Sequence, residues 1–473
     1  STTCVTVSAS TDSISITGGS AICEATVTLT ASDNTTKTLT IKVFDEMVMD
    51  IGDGLLIKFT NKYTWRYNDD ENNADNYIGA FWQPNLSEDT THKYTNDGWY
   101  AVGSYFQGLP SSSDYNNLIS TNHPMVLIKD SKNAGLLAAP TSYTQRWHNH
   151  GSGGMYDGAV WKPVCPTGFV ALGDVTGVED DTPDTKAMRC IDESYTVEGS
   201  IGSRVYDNYG GWDDTELSIY QIVSPSSVTK PVDEDRMVLP AGTFVGCTSY
   251  DVNTCDTDTV HVLLIPVPVV EKSENVYEPK LTDYQPFEGD PNRPKFFSRV
   301  RLPFTLIPSL YPEVDTSVGG SVTIDYLVNN SPFCYLQRQE TYKSLNVADN
   351  RQNSETGTLS YSMTESFSQT DTDTFSQKVG LKITVGGEAS LFGSGGEWKV
   401  ELSTEFQWTQ STATTFGTST TTSSSFTVPA GVYAQVIQVI TQFQAVLVNG
   451  SAVGAPMAGG QNTVKYLQYP LAE

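Results

Sequence analysis

Residues 159–175 read AVWKPVCPTGFVALGDV. Val160 and Trp161 are strand formers, Pro163 punctuates the run, and Thr167-Gly168 offers a turn before a second apolar run from Phe169. A third run, MRCID, starts at Met188. The same order occurs twice more. AFWQP stands at Ala80–Pro84 and, more faintly, SIYQI at Ser218–Ile222. Gly-led runs follow, GWYAVGSYF from Gly98 and GTFVGCTSY from Gly242, then MVLIKD from Met125 and VHVLLI from Val260. Upstream of each copy sits an aromatic residue, read as Trp65, Trp147 and Trp212. A single copy cannot bury its inner face alone, so three related sheets around one core predict a pseudo-threefold module over 43–270.

The rest of the chain is also strand-like. CVTVSA, SISIT, ATVTLTA and KTLTIKV make residues 1–42 a short N-terminal β segment. No segment of eleven or more residues carries a capped 3.6-residue period, so the expected fold is all-β. Residues 271–295 hold four prolines and many charges and read as a connector. Long Thr/Ser-rich strands follow.

Acidic residues outnumber basic ones 55 to 28, a net charge of −27. Nucleic-acid backbones are repelled by such a chain, and anionic lipid is not attracted by charge. The longest apolar run, Val260–Val270, falls far short of the ~20 residues of a spanning helix. There is no GxSxG, HExxH, P-loop or dinucleotide fingerprint, so neither catalysis nor a cofactor is expected. No metal site is expected either. CxxC is absent, His148 and His150 lack a third ligand, and the acidic loops Asn68–Asn76 and Glu179–Asp184 do not fit a twelve-residue calcium loop.

Six of the seven cysteines form local pairs, Cys4/Cys23, Cys165/Cys190 and Cys247/Cys255, with Cys334 left over. Even, local pairing fits three disulfides in a secreted protein; six buried thiols is the other reading. The start at Ser-Thr-Thr-Cys suggests a processed form. Trp147, Asp174, Trp212 and Asp213 are candidates to hold a sugar of a surface receptor, although core packing and turn capping account for them as well.

The functional signal lies further on. Phe375, Val379, Leu381, Ile383 and Val385 alternate with polar residues that include Lys378 and Lys382. Trp398, Val400, Leu402, Phe406 and Trp408 alternate with Lys399, Glu401, Glu405 and other polar residues. Each segment therefore has one apolar and one polar face. Paired as a hairpin whose partners sum to 783, Val385 faces Trp398 and Ile383 faces Val400, while Lys382 meets Glu401 and Lys378 meets Glu405. Each strand has eleven residues, enough to cross a bilayer when tilted. The apolar face then meets lipid, and Lys378, Lys382, Lys399, Glu401 and Glu405 line a lumen. The intervening GGEASLFGSGGE reads as a flexible tip with Leu391 and Phe392 at its centre.

Two resemblances attach to these stretches. WKPVCPTGFVALGDV with MRCID after it and GSGGMYDGAVW before it resembles the Vps62-related domain, which implies a β-prism-like module and no particular chemistry. TLSYSMTESFSQTDTDTFSQKVGLKIT and GEWKVELSTEFQWTQSTATTFGTSTTTSSSFTVPAGVYAQVIQVITQF resemble the stem strands, Ser/Thr-rich return strand and V-P-A turn of the aerolysin-like β-pore-forming toxins. That resemblance implies that 271–473 is an oligomerisation and pore-forming domain. It further implies receptor binding at a target-cell membrane, assembly into a homo-oligomer, and a closed barrel. The rival expectation is a non-lytic lectin or adhesin whose second half is a rigid stalk.

Overall fold

The computed structural model describes residues 5–9, 14–18, 23–30, 33, 35–43, 45–68, 77–86, 98–110, 123–149, 157–177, 181–186, 188–209, 215–225, 236–255, 259–266, 268–269, 271–272, 278–288, 298–307, 322–366, 381–383, 389–393, 396–398 and 419–470. The protein is all-β. Two hairpins open it, β1 (Val5–Ala9) with β2 (Ile14–Gly18) and β3 (Cys23–Thr30) with β4 (Thr36–Val43). A two-residue strand, β5 (Met49–Asp50), leads into the repeat.

Each copy of the repeat is six strands. The first is β6 (Leu55–Thr60), β7 (Tyr63–Asn68), β8 (Tyr77–Pro84), β9 (Tyr100–Ala101), β10 (Tyr105–Pro110) and β11 (Met125–Asp130). The second is β12 (Leu137–Ala138), β13 (Ser142–His148), β14 (Ala159–Val164), β15 (Phe169–Val170), β16 (Val175–Thr176) and β17 (Cys190–Asp192). The third is β18 (Thr196–Glu198), β19 (Ser200–Asp207), β20 (Ser218–Val223), β21 (Arg236–Leu239), β22 (Phe244–Cys247) and β23 (His261–Pro266). In every copy the second, third and fifth strands form one antiparallel sheet with the third in the middle. The first, sixth and fourth form another with the sixth in the middle.

The symmetry reaches the irregularities. The register slips by one residue at Arg66, at Arg146 and at Val205, the same place in each copy. A bulge bends its strand and re-aims the next side chain. Here the next residues are Tyr67, Trp147 and Tyr206, all at most 2 % exposed in one aromatic cluster. The repeated aromatic is thus Tyr67, Trp147 and Tyr206, not the Trp65, Trp147 and Trp212 of the sequence reading. The glycine assignment shifts too. Gly242 stands two residues before its fifth strand, as Gly103 and Gly173 do, so Gly98 and Gly168 have no glycine counterpart in the third copy.

The copies interlock around this cluster. Tyr206 of the third packs on Gly79 of the first, where an added Cβ would lie 2.8 Å from the ring. Tyr67 of the first packs on Gly158 of the second, where a Cβ would overlap the ring. Gly158→Ala should therefore cost ~1–3 kcal/mol by overpacking, read as a lower urea midpoint. Gly135→Ala, with nothing within 4 Å but φ +81, is the control for backbone cost alone.

The second half is one long sheet, β24 (Glu271–Lys272), β25 (Ser298–Pro303), β26 (Phe333–Asp349), β32 (Val432–Val446) and β33 (Ala452–Pro470), in that order. Between β26 and β32 come β27 (Gly357–Ser366), β28 (Leu381–Ile383), β29 (Ala389–Gly393), β30 (Gly396–Trp398) and β31 (Ser419–Val428). The α-helix Ile324–Asn330 is capped by Thr323, whose hydroxyl accepts from Tyr326 N.

The halves share one apolar core. Phe59 lies 5.3 Å from Phe304 and 5.8 Å from Phe333, ring to ring. Arg301 donates to the carbonyls of Asp45 and Glu46 across the same seam. The Pro-rich stretch read as a connector is partly a strap over the long sheet. Leu281 is 6 % exposed, Tyr284 packs on Tyr469, and Phe287 on Tyr342. Gln435, fully buried, accepts from the Phe287 N–H at 2.6 Å and donates back to its carbonyl at 3.3 Å. A buried amide costs free energy unless both ends are bonded, so this pairing fixes the strap's position.

Candidate functional site

The segment between β26 and β32 is rooted in a ladder of ten pairs, from Gly357↔Val428 to Ser366↔Ser419. Its base is pinned by Asn350, 5 % exposed, whose Nδ2 lies within 2.9–3.1 Å of the carbonyls of Glu355, Val428 and Pro429. Along β27 the odd residues Leu359 and Met363 are buried, and the even residues Ser360 and Ser362 are exposed. On β31 the same inward face carries Val428 and Phe426; Phe426 stacks on Tyr361 and on Tyr466 at 4.7 Å. The outward face is a hydroxyl row, with Ser423 donating to its opposite number Ser362 at 3.2 Å.

Beyond the ladder the described residues form a three-stranded meander, β28–β29–β30. Ile383 pairs with Ala389 and Leu381 with Leu391; Leu391 pairs with Trp398 on its other side. The sequence reading paired Ile383 with Val400 and Trp398 with Val385, and both valines fall outside the described residues; Leu391 and Phe392, read as a flexible tip, stand on a strand. ASLFG has strand-forming residues, and only Ser394 and Gly395 separate it from β30, a spacing suited to a two-residue hairpin. Leu391 and Phe392 lie on this middle strand, whose backbone runs beside the 3-10 turn Phe304–Leu306. Leu381, Lys382, Ile383 and Trp398 lie on its neighbours. Phe375, Lys378, Val379, Val385, Lys399, Val400, Glu401, Leu402, Glu405, Phe406 and Trp408 fall outside the described residues. Among the described residues no helix is long and apolar enough to cross a membrane.

The candidate sugar contacts part company. Trp147 is 1 % exposed in the aromatic core. Asp174 is 3 % exposed, ion-paired to Arg146 at 2.6 Å, and accepts from Gly246 N at 2.8 Å. It stands where the three copies meet: Ser104 N donates to the Asp174 carbonyl and Asp174 N to that of Phe244. These two residues hold the module together and offer no surface to a receptor. Trp212 and Asp213 lie outside the described residues.

An exposed aromatic pair went unread. Tyr209 is 69 % exposed and meets Tyr250 edge to face at 5.3 Å. Buried Asn208 braces the loop below Tyr209, donating to Thr215 O and accepting from Leu217 N. Asp207 accepts from Tyr209 N and Glu216 from Tyr250 N. The signal available in the sequence was asymmetry, since His150, not a tyrosine, follows Asn149, the matching position of the second copy.

Of the cysteines, Cys165–Cys190 is a disulfide, and Cys247 is disulfide-bonded with the Cys255 side chain outside the described residues. The Cys4 and Cys23 side chains also lie outside them. Cys334 is a buried free thiol that donates to Ser331 O at 3.2 Å, and burial pushes its pKa up to about 12.

His123 is the one strongly shifted imidazole described. It stacks on Tyr105 at 4.6 Å, packs on Phe244, and its Nε2 lies 2.8 Å from the Gly242 carbonyl. Desolvation lowers its pKa from 6.5 to about 4. The folded state thus resists a proton that the unfolded state takes up below pH 6.5. Stability from this site is complete above that pH and is lost as pH falls toward 4, by up to about 3 kcal/mol. Denaturation at pH 7 and pH 5 should show the slope, and His123→Gln should flatten it.

Residues 41–264 match the family model described as vacuolar protein sorting-associated protein 62. No curated protein matches the chain. Among solved structures, GNIP1Aa from Chromobacterium piscinae is similar at 20 % identity and a TM-score of 0.34, over 45 % of this chain and 37 % of that one. Cry35Ab1 is similar at 9 % identity and 0.28, over 70 % and 88 %. The chain thus spans little more than a third of GNIP1Aa. The family match and the three six-strand copies coincide, so the repeat read from AVWKPVCPTGFVALGDV is the part of the chain that resembles Vps62.

Proposed function

We propose that the protein is a secreted, non-enzymatic pore former. Its Vps62-like module binds a cell-surface receptor, copies assemble on the target membrane, and residues 375–408 insert as part of a closed β-barrel. Closure is required because no open strand edge survives in hydrocarbon. One observation carries the reading. In the rooted ladder the inward face uses odd residues of the first strand and even residues of the second. The apolar residues of 375–385 are odd and those of 398–408 even. A strand pair extended from this root keeps those apolar residues on the face of Leu359 and Met363, with the polar stretch Gln369, Asp371 and Asp373 between the two apolar blocks.

Dye release from target cells, with electron microscopy for rings and proteolysis of the bound protein, tests the reading. Leakage, rings and a protected hairpin are expected. Bound protein that leaves the membrane tight, with its hairpin open to protease, returns the chain to the adhesin class.

For the receptor face we assign the Tyr209–Tyr250 pair, a rigidly held aromatic surface with carboxylates beside it. Tyr209→Ala should weaken cell binding roughly tenfold or more, as loss of an aromatic hot spot does, with an unchanged urea midpoint. Unchanged binding would place the receptor contact elsewhere.

A further inference from the structure

We infer that the inserted hairpin zips outward from its root without a break in register, so that its partners sum to 785, not the 783 that best matches the charges. This rests on the pore-forming reading above. Every rung of the rooted ladder has that sum, from Gly357 with Val428 to Ser366 with Ser419. Continued outward, it pairs Val385 with Val400, Ile383 with Leu402, Leu381 with Thr404 and Val379 with Phe406. The two registers differ by two residues, so every side chain keeps its face and only its partner changes.

The energies favour continuity. Moving to 783 needs two extra residues looped out of 409–418, with their ladder hydrogen bonds lost. In return Lys382 gains Glu401, and Lys378 gains Glu405, directly opposite. In the continuous register Lys382 faces Ser403 and lies diagonal to both Glu401 and Glu405, at ~7–8 Å between backbones, which a lysine spans. Lys378 is diagonal to Glu405. Most of the charge attraction is kept and no bulge is needed. The lumen then carries one cation seated between two carboxylates, instead of two isolated pairs. Trp398 and Lys399 move from the strand into the turn, opposite Gly387 and Gly386.

Extension must undo the stored meander, whose two ladders have three pairs each against ten at the root. The short ladders open first and β29 becomes the tip.

Paired cysteines in the full chain, with Cys334→Ala, test the register on calcein-loaded vesicles of phosphatidylcholine and cholesterol. Adjacent rungs alternate in hydrogen bonding, so two rungs are needed for each register. The pairs I383C/L402C and K382C/S403C report the continuous one; I383C/V400C and K382C/E401C report the other. At least one continuous-register pair should cross-link almost fully in the vesicle-bound fraction with leakage retained. None should do so in solution, where Ile383 pairs with Ala389. Leaky vesicles with the stronger cross-link in the second set, or with none, overturn the register and leave the pore-forming reading standing. Intact vesicles and no cross-link overturn both.

Discussion

Leu402→Arg is expected to abolish leakage while Ser403→Arg, one residue on, leaves it nearly intact. Leu402 has the parity of the apolar face in either register, so in a barrel it meets acyl chains. An arginine there costs ~2–4 kcal/mol near the bilayer midplane. The cost recurs in every subunit of the ring, so even the lower figure stops insertion. Ser403 has the opposite parity and in a barrel faces the lumen, where an arginine opposite Lys382 costs at most ~1 kcal/mol. Both variants should bind cells as the unsubstituted chain does, because the change lies outside the repeat that carries Tyr209. Dye release at matched bound protein is the measurement. Equal loss at both positions would remove the two-faced assignment on which the pore rests.

Locking β28 to β29 should abolish leakage as completely, and reversibly. Lys382 and Ser390 are direct partners in the meander. Opposed residues of an antiparallel pair have Cα atoms ~4.5–5.5 Å apart, within the range a disulfide bridges. With Cys334→Ala, oxidised K382C/S390C keeps the middle strand where it is and prevents its conversion into a tip. Binding should be unchanged and leakage should fall to background. Reductant should restore it, with the Cys334→Ala chain under the same reductant as reference. Full leakage by the verified, oxidised protein would mean that the segment inserts without unfolding its meander, or does not insert at all.

The periodicities of the chain were enough to read the all-β class and the threefold repeat, because AVWKP and its relatives are long enough to mark the middle strand of each copy. They were not enough to align the copies. Trp212 looked like the third repeated aromatic because tryptophan stands at Trp65 and Trp147. The bulges at Arg66, Arg146 and Val205 decide which side chain turns inward, and a one-residue slip leaves no mark in composition. Gly242 was matched to the wrong glycines for a similar reason, since a turn glycine and a packing glycine look alike in sequence. Asp174 was a candidate sugar contact or turn cap; its partner Arg146, two strands away in the same sheet, gives its burial a reason that the sequence alone does not show. The stretch 271–295 looked like linker because proline and charge dominate its composition. Its anchors Leu281, Tyr284 and Phe287 recur every third residue, a spacing that fits neither a strand nor, with Pro286 among them, a helix. In 375–385 and 398–408 the alternation of apolar and polar residues was legible. The meander was not, because glycine-rich sequence permits a turn on either side of Leu391 and Phe392.

The packing of Tyr67 and Tyr206 on glycines of a neighbouring copy has an effect on how the chain must be made. The longer of these two links joins Tyr206 to Gly79, residues separated by more than half of the module. Until the third copy has been synthesised the first cannot close over its own apolar face. At ~5–20 residues per second that wait is on the order of ten seconds. Loop closure over such a span is also slow in its own right. A nascent chain of this design carries an open, sticky edge throughout that interval, so its yield should depend on translation speed and on holding factors far more than its final stability does.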